Sequence, residues 1–503
     1  MQSIQPLPNP GVSDVTELGD RSFGGYPGLA IVGGGGLSGL YGVNGGLVDA
    51  QGTGLQHAFL GDYRHDLIHT ATTLILHSDG AVEYGDRLED PATHPVHLRP
   101  ESVFNRSGFA FGATFGSARI PGLRRTELVY APGKRRLTFD LTLRNAGDQA
   151  VGVEAYALVI FRGHAGARAR LVPAAGGAAL GALWSGPAGK EMGVALEGGS
   201  DRALLIPDSP SGFLYRTIQA LCGGEPELDE VSCDQPIGLL LGRRATVPAG
   251  GEARLRWHLI GGAPASVVAE LAQGHTDAWL EAESHWETWF REGVDLPLRD
   301  PALLHYYRAN LAAVRAAVMD GFVPADMTGQ YFAGGTPSYY ARDSMMIARS
   351  LLLCGHVPEF EAVVRYLAGR TVKRGGEFCQ RYDAAGRPSE GQHNGVPHQL
   401  DSQGYFVRNV IDHARRTGRW LVGLDELAPF LDVLAECIGP TGMVGPEGGV
   451  NEGVYGPAFI TSTNLCISGG LRGAIEDAEK AGLTDLATRW RTLREGIFLE
   501  NIA

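Results

Sequence analysis

The 503-residue sequence is poor in cysteine, modest in aromatics at 8% and without long apolar runs. Its six cysteines (222, 233, 354, 379, 437 and 466) are widely spaced and form no Cys-x-x-Cys pair. Neither a disulfide framework nor structural zinc is therefore expected, and reduced thiols fit a cytoplasmic location. No window approaches 18 uninterrupted apolar residues, so no membrane span is expected. Met1 to Ser13 is polar and proline-containing, which does not read as a signal peptide. Basic residues are outnumbered 43 to 56, for a net charge of −13. That balance argues against a nucleic-acid or acidic-membrane partner, because neutralising phosphates takes clustered Lys and Arg. What remains is an ordinary globular composition, 44% hydrophobic and 20% charged. The length is too great for one core and implies two to four units.

The first 260 residues or so read as β. Arg136–Arg144 alternates, with Leu137, Phe139, Leu141 and Leu143 on one face, and Val151–Phe161 is rich in β-branched and aromatic residues. Turn sequences such as Asn145-Ala146-Gly147-Asp148 punctuate the stretch, and Glu252–Ile260 closes it. Strands at this spacing without intervening helical runs predict an antiparallel β-sandwich over 1–262. At Pro264 the pattern changes. Ala265–Arg291 predicts one helix inside a linker at 263–299, with Val268, Leu271, Trp279, Trp286 and Trp289 as its apolar face. From Asp300 to Ala503 seven helices are predicted, several stopped by glycine (Gly355, Gly418, Gly482). Helix starts near Arg342, Asp401 and Ile460 recur every 59 residues, each followed by a partner helix after a short turn. This is a repeat of helical hairpins. If the hairpins stack around an axis, the long loops before these helices converge, and a site should form there.

Those loops concentrate polar and aromatic groups. The first holds Tyr339, Tyr340, Arg342 and Asp343, the second Gln392, His393, His398, Gln399 and Asp401, and the third Asn451, Glu452 and Tyr455. Carboxylates accept from sugar hydroxyls, arginine donates to them and aromatic rings stack on apolar sugar faces, so the set suits a neutral polyhydroxylated ligand. Each residue also has a structural reading. Asp343 and Asp401 stand where helix-capping acids belong. Arg342 has the option of a plain ion pair, and a loop glutamate such as Glu452 is most often solvated.

Three ordered blocks give the C-terminal half a resemblance to the glucoamylase-like glycoside hydrolases (family 15). Tyr339-Tyr340-Ala341-Arg342-Asp343 is similar to the family's aromatic-x-Arg-Asp block. Glu377–Tyr382 with His398-Gln399-Leu400-Asp401 resembles its Gln-Leu-Asp block. Asn451-Glu452-Gly453-Val454-Tyr455-Gly456, then Phe459 and Thr461, resembles the loop carrying the general acid. The resemblance implies an (α/α)6-toroid catalytic domain over 300–503 behind the β-sandwich. It implies exo-acting release of glucose from the non-reducing end of an α-glucan or α-gluco-oligosaccharide, with inversion and without a cofactor or metal. Glu452 would be the general acid, with its pKa raised by burial and neighbouring carboxylates. Arg342, Asp343, Gln399 and Asp401 would bind the terminal glucose and Tyr340 would stack on it.

The departures bear on specificity. Asn451 and Tyr340 stand where the family usually has tryptophan, and Gly453 where it often has a polar or charged residue, which leaves the linkage open. Six hairpins at this spacing would need about 350 residues, whereas 203 run from Pro301 to Ala503. The chain is therefore expected to be C-terminally truncated with about half of the toroid, and the family's general base is expected beyond Ala503. The rivals are a debranching glucosidase or glycoside phosphorylase on the same fold, and a non-catalytic carbohydrate-binding protein. Gly34-x-Gly36-x-x-Gly39 matches a dinucleotide fingerprint, but Tyr41-Gly42-Val43-Asn44-Gly45-Gly46 cannot supply the helix that the motif requires. His65-Asp66-x-x-His69 and His94-x-x-His97 lack a third metal ligand and read as ordinary histidines.

Overall fold

A computed structural model of the chain describes residues 5–6, 29–43, 53–85, 87–89, 96–98, 100–173, 179–207, 217, 220–221, 228–273, 277–329, 331–372, 375–389, 398–448 and 457–502. The chain divides into two compact units. The first comprises Met1–Arg291, Asp295–Ala317 and Met327–Gln330. The second comprises Glu292–Val294, Val318–Asp326 and Tyr331–Ala503.

The first unit is built on two antiparallel sheets. One runs through Pro100–Arg106, Ala110–Gly116, Leu123–Gly133, Arg136–Asn145, Glu252–Gly262, Glu191–Ser200, Ala179–Ser185 and Arg168–Pro173 as successive neighbours. The other runs through Arg202–Pro207, Ile237–Val247, Val151–Phe161, Ile68–Leu76, Gly54–Leu60, Leu37–Gly42 and Leu29–Gly33. The predicted alternation decides which face is inside: Leu137, Phe139, Leu141 and Leu143 are all buried, while Arg144 is exposed. One core draws on both sheets. At its centre Phe139 and Trp257, directly opposite in register, stack with ring centroids 3.8 Å apart. The Trp257 indole N–H donates to Thr73 Oγ1 of the other sheet at 3.2 Å, satisfying a donor that would otherwise be buried unpaired. At the predicted Asn145 turn, the Asn145 side-chain oxygen accepts the Gly147 N–H at 2.9 Å.

The glycine run is a hairpin turn. Leu29–Gly33 pairs with Leu37–Gly42. Gly35 has φ +82°, and a Cβ at Gly34 would fall on the Gly133 carbonyl. These glycines are needed for a close backbone approach. His57 Nδ1 lies 2.6 Å from Asp66 Oδ2, which also accepts from Arg162, so the aspartate of the His65-Asp66-x-x-His69 stretch is engaged in a buried ion-pair cluster. His94 lies outside the described residues.

Nine helices are described. Where one linker helix is predicted, there are two, α1 (Pro264–Gln273) and α2 (Ala278–Glu292). The low-propensity Gly274 falls in the interval, whose residues 274–276 lie outside the described set. Val267 and Leu271 of α1 pack on Leu183, Ala195 and Ile260, whereas Trp286 and Trp289 of α2 are buried. α3 (Pro301–Ala317) belongs to the first unit, where the Tyr63 hydroxyl donates to the Ala317 carbonyl at 2.6 Å.

The second unit holds three successive hairpins. They are α4 (Ala341–Leu353) with α5 (Val357–Ala368), α6 (Asp401–Thr417) with α7 (Leu424–Ala435), and α8 (Thr461–Lys480) with α9 (Thr484–Ile502). The first helices begin at 341, 401 and 461, so the spacing is 60 residues. Gly355, Gly418 and Gly482 all take positive φ at helix ends, the left-handed geometry that favours glycine. α6 packs against both α4 and α8. Its contact with α8 is close because it is made by glycines: a Cβ on Gly404 would stand 2.8 Å from the backbone of Cys466 and Ile467, and one on Gly470 would stand 3.0 Å from the Gly404 carbonyl.

Candidate active site

The loops that precede α4, α6 and α8 meet in the second unit. Tyr339-Tyr340 pairs with Arg381-Tyr382 as a two-residue antiparallel ladder, which joins the first block to the second. The Gly448 N–H donates to the His398 carbonyl at 3.1 Å, which joins the second block to the stretch that ends three residues before the third. The first two blocks singled out by sequence are therefore neighbours in space, while residues 451–456 of the third lie outside the described residues.

Helix phase then sets the charges. Arg342 is the second residue of α4 and Asp401 the first of α6. Both are buried, and Arg342 Nη1 donates to Asp401 Oδ2 at 3.4 Å. Arg342 Nη2 is also 3.6 Å from Asp343 Oδ2, whose side chain is 44% exposed. The two aspartates thus share one guanidinium from opposite environments. Both sit in first turns, where the helix dipole favours negative charge. Burial pushes the Asp401 carboxyl above its ordinary range, and Arg342 opposes the shift. Asp401 Oδ1 has no hydrogen-bond partner among the described residues, leaving a buried acceptor for a ligand hydroxyl or water.

The other predicted residues differ in placement. Gln399 is buried two residues before Asp401. Tyr340 is only 2% exposed; its ring meets Tyr331 edge-on at 5.9 Å, and its hydroxyl accepts from Arg381 Nη1 at 3.5 Å. Glu452 lies outside the described residues, as do Gln392, His393, Asn451 and Tyr455.

Sequence reasoning missed Glu447. It is fully buried, and its Oε2 accepts the Leu400 N–H at 2.6 Å. Burial lifts its carboxyl to about 7, the Asp401 charge adds to the rise, and the Thr463 hydroxyl, the Leu400 amide and Arg342 oppose it. No local feature marks the residue, because its burial comes from a partner 47 positions away. Glu377, inside the second block, is also fully buried, and its Oε1 pairs with His398 Nδ1 at 2.8 Å. Behind Asp401, burial and the same carboxylate push the Cys466 thiol up to about 12, so it is no nucleophile at neutral pH.

No protein-family model matches the sequence, and no curated protein does. The structure does resemble solved ones. A bacterial glucoamylase solved in complex with acarbose superposes with a TM-score of 0.66 over 99% of this chain and 69% of that one, at 13% identity. The fold is glucoamylase-like. Two weaker likenesses are to a protein named as a kojibiose phosphorylase from the human microbiome (TM-score 0.49, 10% identity, 93% of this chain and 67% of that one) and to a family 92 glycosyl hydrolase (0.46, 12%, 96% and 63%). In this glucoamylase-like frame, the sandwich is the N-terminal part and the hairpins follow it.

Proposed function

We propose that the helical unit binds the non-reducing end of an α-glucoside and that the protein is an exo-acting, inverting glucosidase. The observation that carries this reading is the buried Arg342–Asp401 pair with Asp343 beside it, at the meeting of the three pre-helical loops. A fixed guanidinium offers donors to vicinal hydroxyls, and the aspartates offer acceptors at set angles. The likeness to a glucoamylase that was crystallised with acarbose supports an oligosaccharide as the ligand.

In this mechanism Glu452 protonates the departing glycosidic oxygen while a second carboxylate, ~6.5–9.5 Å away across the sugar, activates water. None of the residues named above is given that second role. The test accordingly uses the chain both as it stands and extended by whatever its gene encodes downstream. Glucose release from maltose, isomaltose and starch is measured for each and for Glu452→Gln. Release that the substitution lowers by roughly 10²–10⁴, the usual worth of a positioned acid, supports the assignment. Equal release by parent and Glu452→Gln removes Glu452 from the mechanism, and no release from any α-glucoside by the extended chain removes the reading.

A further inference from the structure

The first unit carries a cleft that the mechanism above does not use. Its walls are one hairpin and two helices. The hairpin joins Pro100–Arg106 to Ala110–Gly116. Its turn is tight: the Phe109 N–H donates to the Arg106 carbonyl at 3.3 Å, and Ser107 (φ +58°) and Gly108 (φ +83°) between them both take positive φ. Gly108 also lets the turn approach α3, since a Cβ there would stand 2.7 Å from the Arg308 Cβ. Glu287 of α2 pairs with Arg308 of α3 at 2.7 Å and fixes the two helices to one another. Between these elements lies a cleft of about 770 Å³, and every residue that lines it belongs to the first unit. Pockets for small ligands run from ~300 to ~1,000 Å³, so the space suits a short oligosaccharide.

Three of the lining residues carry a buried polar atom with no hydrogen-bond partner among the described residues: Asn105 Oδ1, Arg106 Nε and His305 Nε2. The Asn105 residue is only 9% exposed. A buried polar atom left unpaired costs about as much as a lost hydrogen bond, so three at one place call for an occupant that bonds to them. The frame that holds them is rigid. The Arg106 guanidinium carbon sits 4.1 Å from the centre of the Trp279 ring, and Trp279 in turn meets Phe109 at 5.4 Å. The chemistry on offer is mixed. Arg106 donates only, while Asn105 Oδ1 and the Glu283 and Glu287 carboxylates accept. Burial holds the His305 imidazole below its ordinary range, so the ring is neutral and serves either way. The two carboxylates disfavour an anion, and Arg106, Arg291 and Arg308 disfavour a cation. A neutral ligand whose hydroxyls each donate and accept meets both demands.

We propose that this cleft is a second carbohydrate site, which binds a short neutral oligosaccharide through residues of the first unit alone. The polyhydroxylated class rests on the unpaired atoms and balanced charges of the cleft. The choice of an α-gluco-oligosaccharide within that class rests on the glucosidase reading.

The experiment is hydrogen exchange during titration with maltoheptaose or cellopentaose, in the full chain carrying Glu452→Gln so that the saccharide stays intact on the glucosidase reading. Peptides over 101–109 and 283–291 read the cleft, and the peptide over 398–404 reads the site of the second unit. Maltoheptaose is expected to slow exchange at the cleft. Two added substitutions test the groups: Asn105→Leu, which removes the unpaired acceptor at nearly constant shape, and Glu283→Lys, which turns an acceptor at the cleft into a donor. Each is expected to raise the half-saturating maltoheptaose concentration at the cleft by about tenfold, the worth of one hydrogen bond to a buried or charged group. Each should leave the 398–404 response and the thermal midpoint unchanged, because the Asn105 oxygen has no protein partner to lose. Exchange at the cleft that neither saccharide slows overturns the proposal, and so do two substituted chains that respond as their parent does. Slowing by cellopentaose and not by maltoheptaose upholds the carbohydrate site and overturns the α-gluco choice. Slowing at 398–404 alone overturns the second site and leaves the glucosidase reading standing; slowing at the cleft alone upholds the second site and counts against that reading.

Discussion

Replacing Glu447 with glutamine should take most of one pH dependence out of the stability of the helical unit. In the folded chain the carboxyl is lifted from 4.5 to about 7, with burial as the largest cause. Between those values the folded protein holds a proton that the unfolded chain has released. The associated stability is therefore complete below about 4.5, falls as pH rises through the window and levels off above about 7. Two and a half units at ~1.4 kcal/mol each give a loss of about 3 kcal/mol. For a unit of this size, at roughly 2–4 °C per kcal/mol, the transition should move by roughly 6–12 °C. The assay is differential scanning calorimetry at pH 5 and pH 8. Tryptophan fluorescence tells the transitions apart, since Trp420 and Trp490 lie in the second unit and the other five tryptophans in the first. Wild type should melt lower at pH 8. Glu447→Gln should lose most of that difference and should be the more stable protein at pH 8. Asp401, whose carboxyl burial also raises, contributes in the same direction and stays in the variant, so a residual slope is expected. A glutamine variant whose midpoint still moves with pH as far as that of wild type would refute the reasoning.

Two further outcomes follow from packing and charge. Gly404→Val should destabilise the second unit by about 1–3 kcal/mol, because the α6–α8 contact has no room for a side chain, whereas Gly469→Ala on α8, with open space around it, should be neutral or slightly stabilising; thermal midpoints of the two variants separate steric cost from helix propensity. Arg342→Leu should cost about 3–5 kcal/mol by leaving Asp401 buried without its cation, and Asp401→Asn in the same chain should recover part of that loss; urea unfolding at pH 7 measures the coupling, and additive losses would mean that the pair contributes nothing specific.

Much of the fold was legible because it depends on periods that local sequence carries. The strand around Phe139 alternates with period two, and its inward face is the one observed. The helical hairpins are marked by glycine stops whose positive φ the backbone requires. The missed break between α1 and α2 shows the limit. The run of helix formers and tryptophans continues across Gly274, and a single unfavourable residue in such a run is weak evidence against continuity. The two helices also bury different partners, Ile260 and Leu183 for α1 and the Ala131 carbonyl, through the Trp286 indole, for α2. Only the tertiary contacts separate them.

The site was legible to the extent that the repeat carried it. Asp343 and Asp401 look alike in sequence, since each is an acid in a first turn. What separates them is that Asp401 is buried against Arg342, 59 residues away, while Asp343 is half exposed. That separation is nearly the hairpin repeat of 60. When adjacent hairpins stack in register, the second residue of one helix comes beside the first residue of the next, so the pairing is written in the spacing once the hairpins are assumed to stack. Glu447 obeys no such rule. It belongs to an irregular loop, and its partner is the amide of Leu400, a backbone group that every residue type except proline supplies. A carboxylate recruited by a backbone N–H leaves no complementary side chain in the sequence, and burial in the folded chain is the one property that tells it from a solvated glutamate.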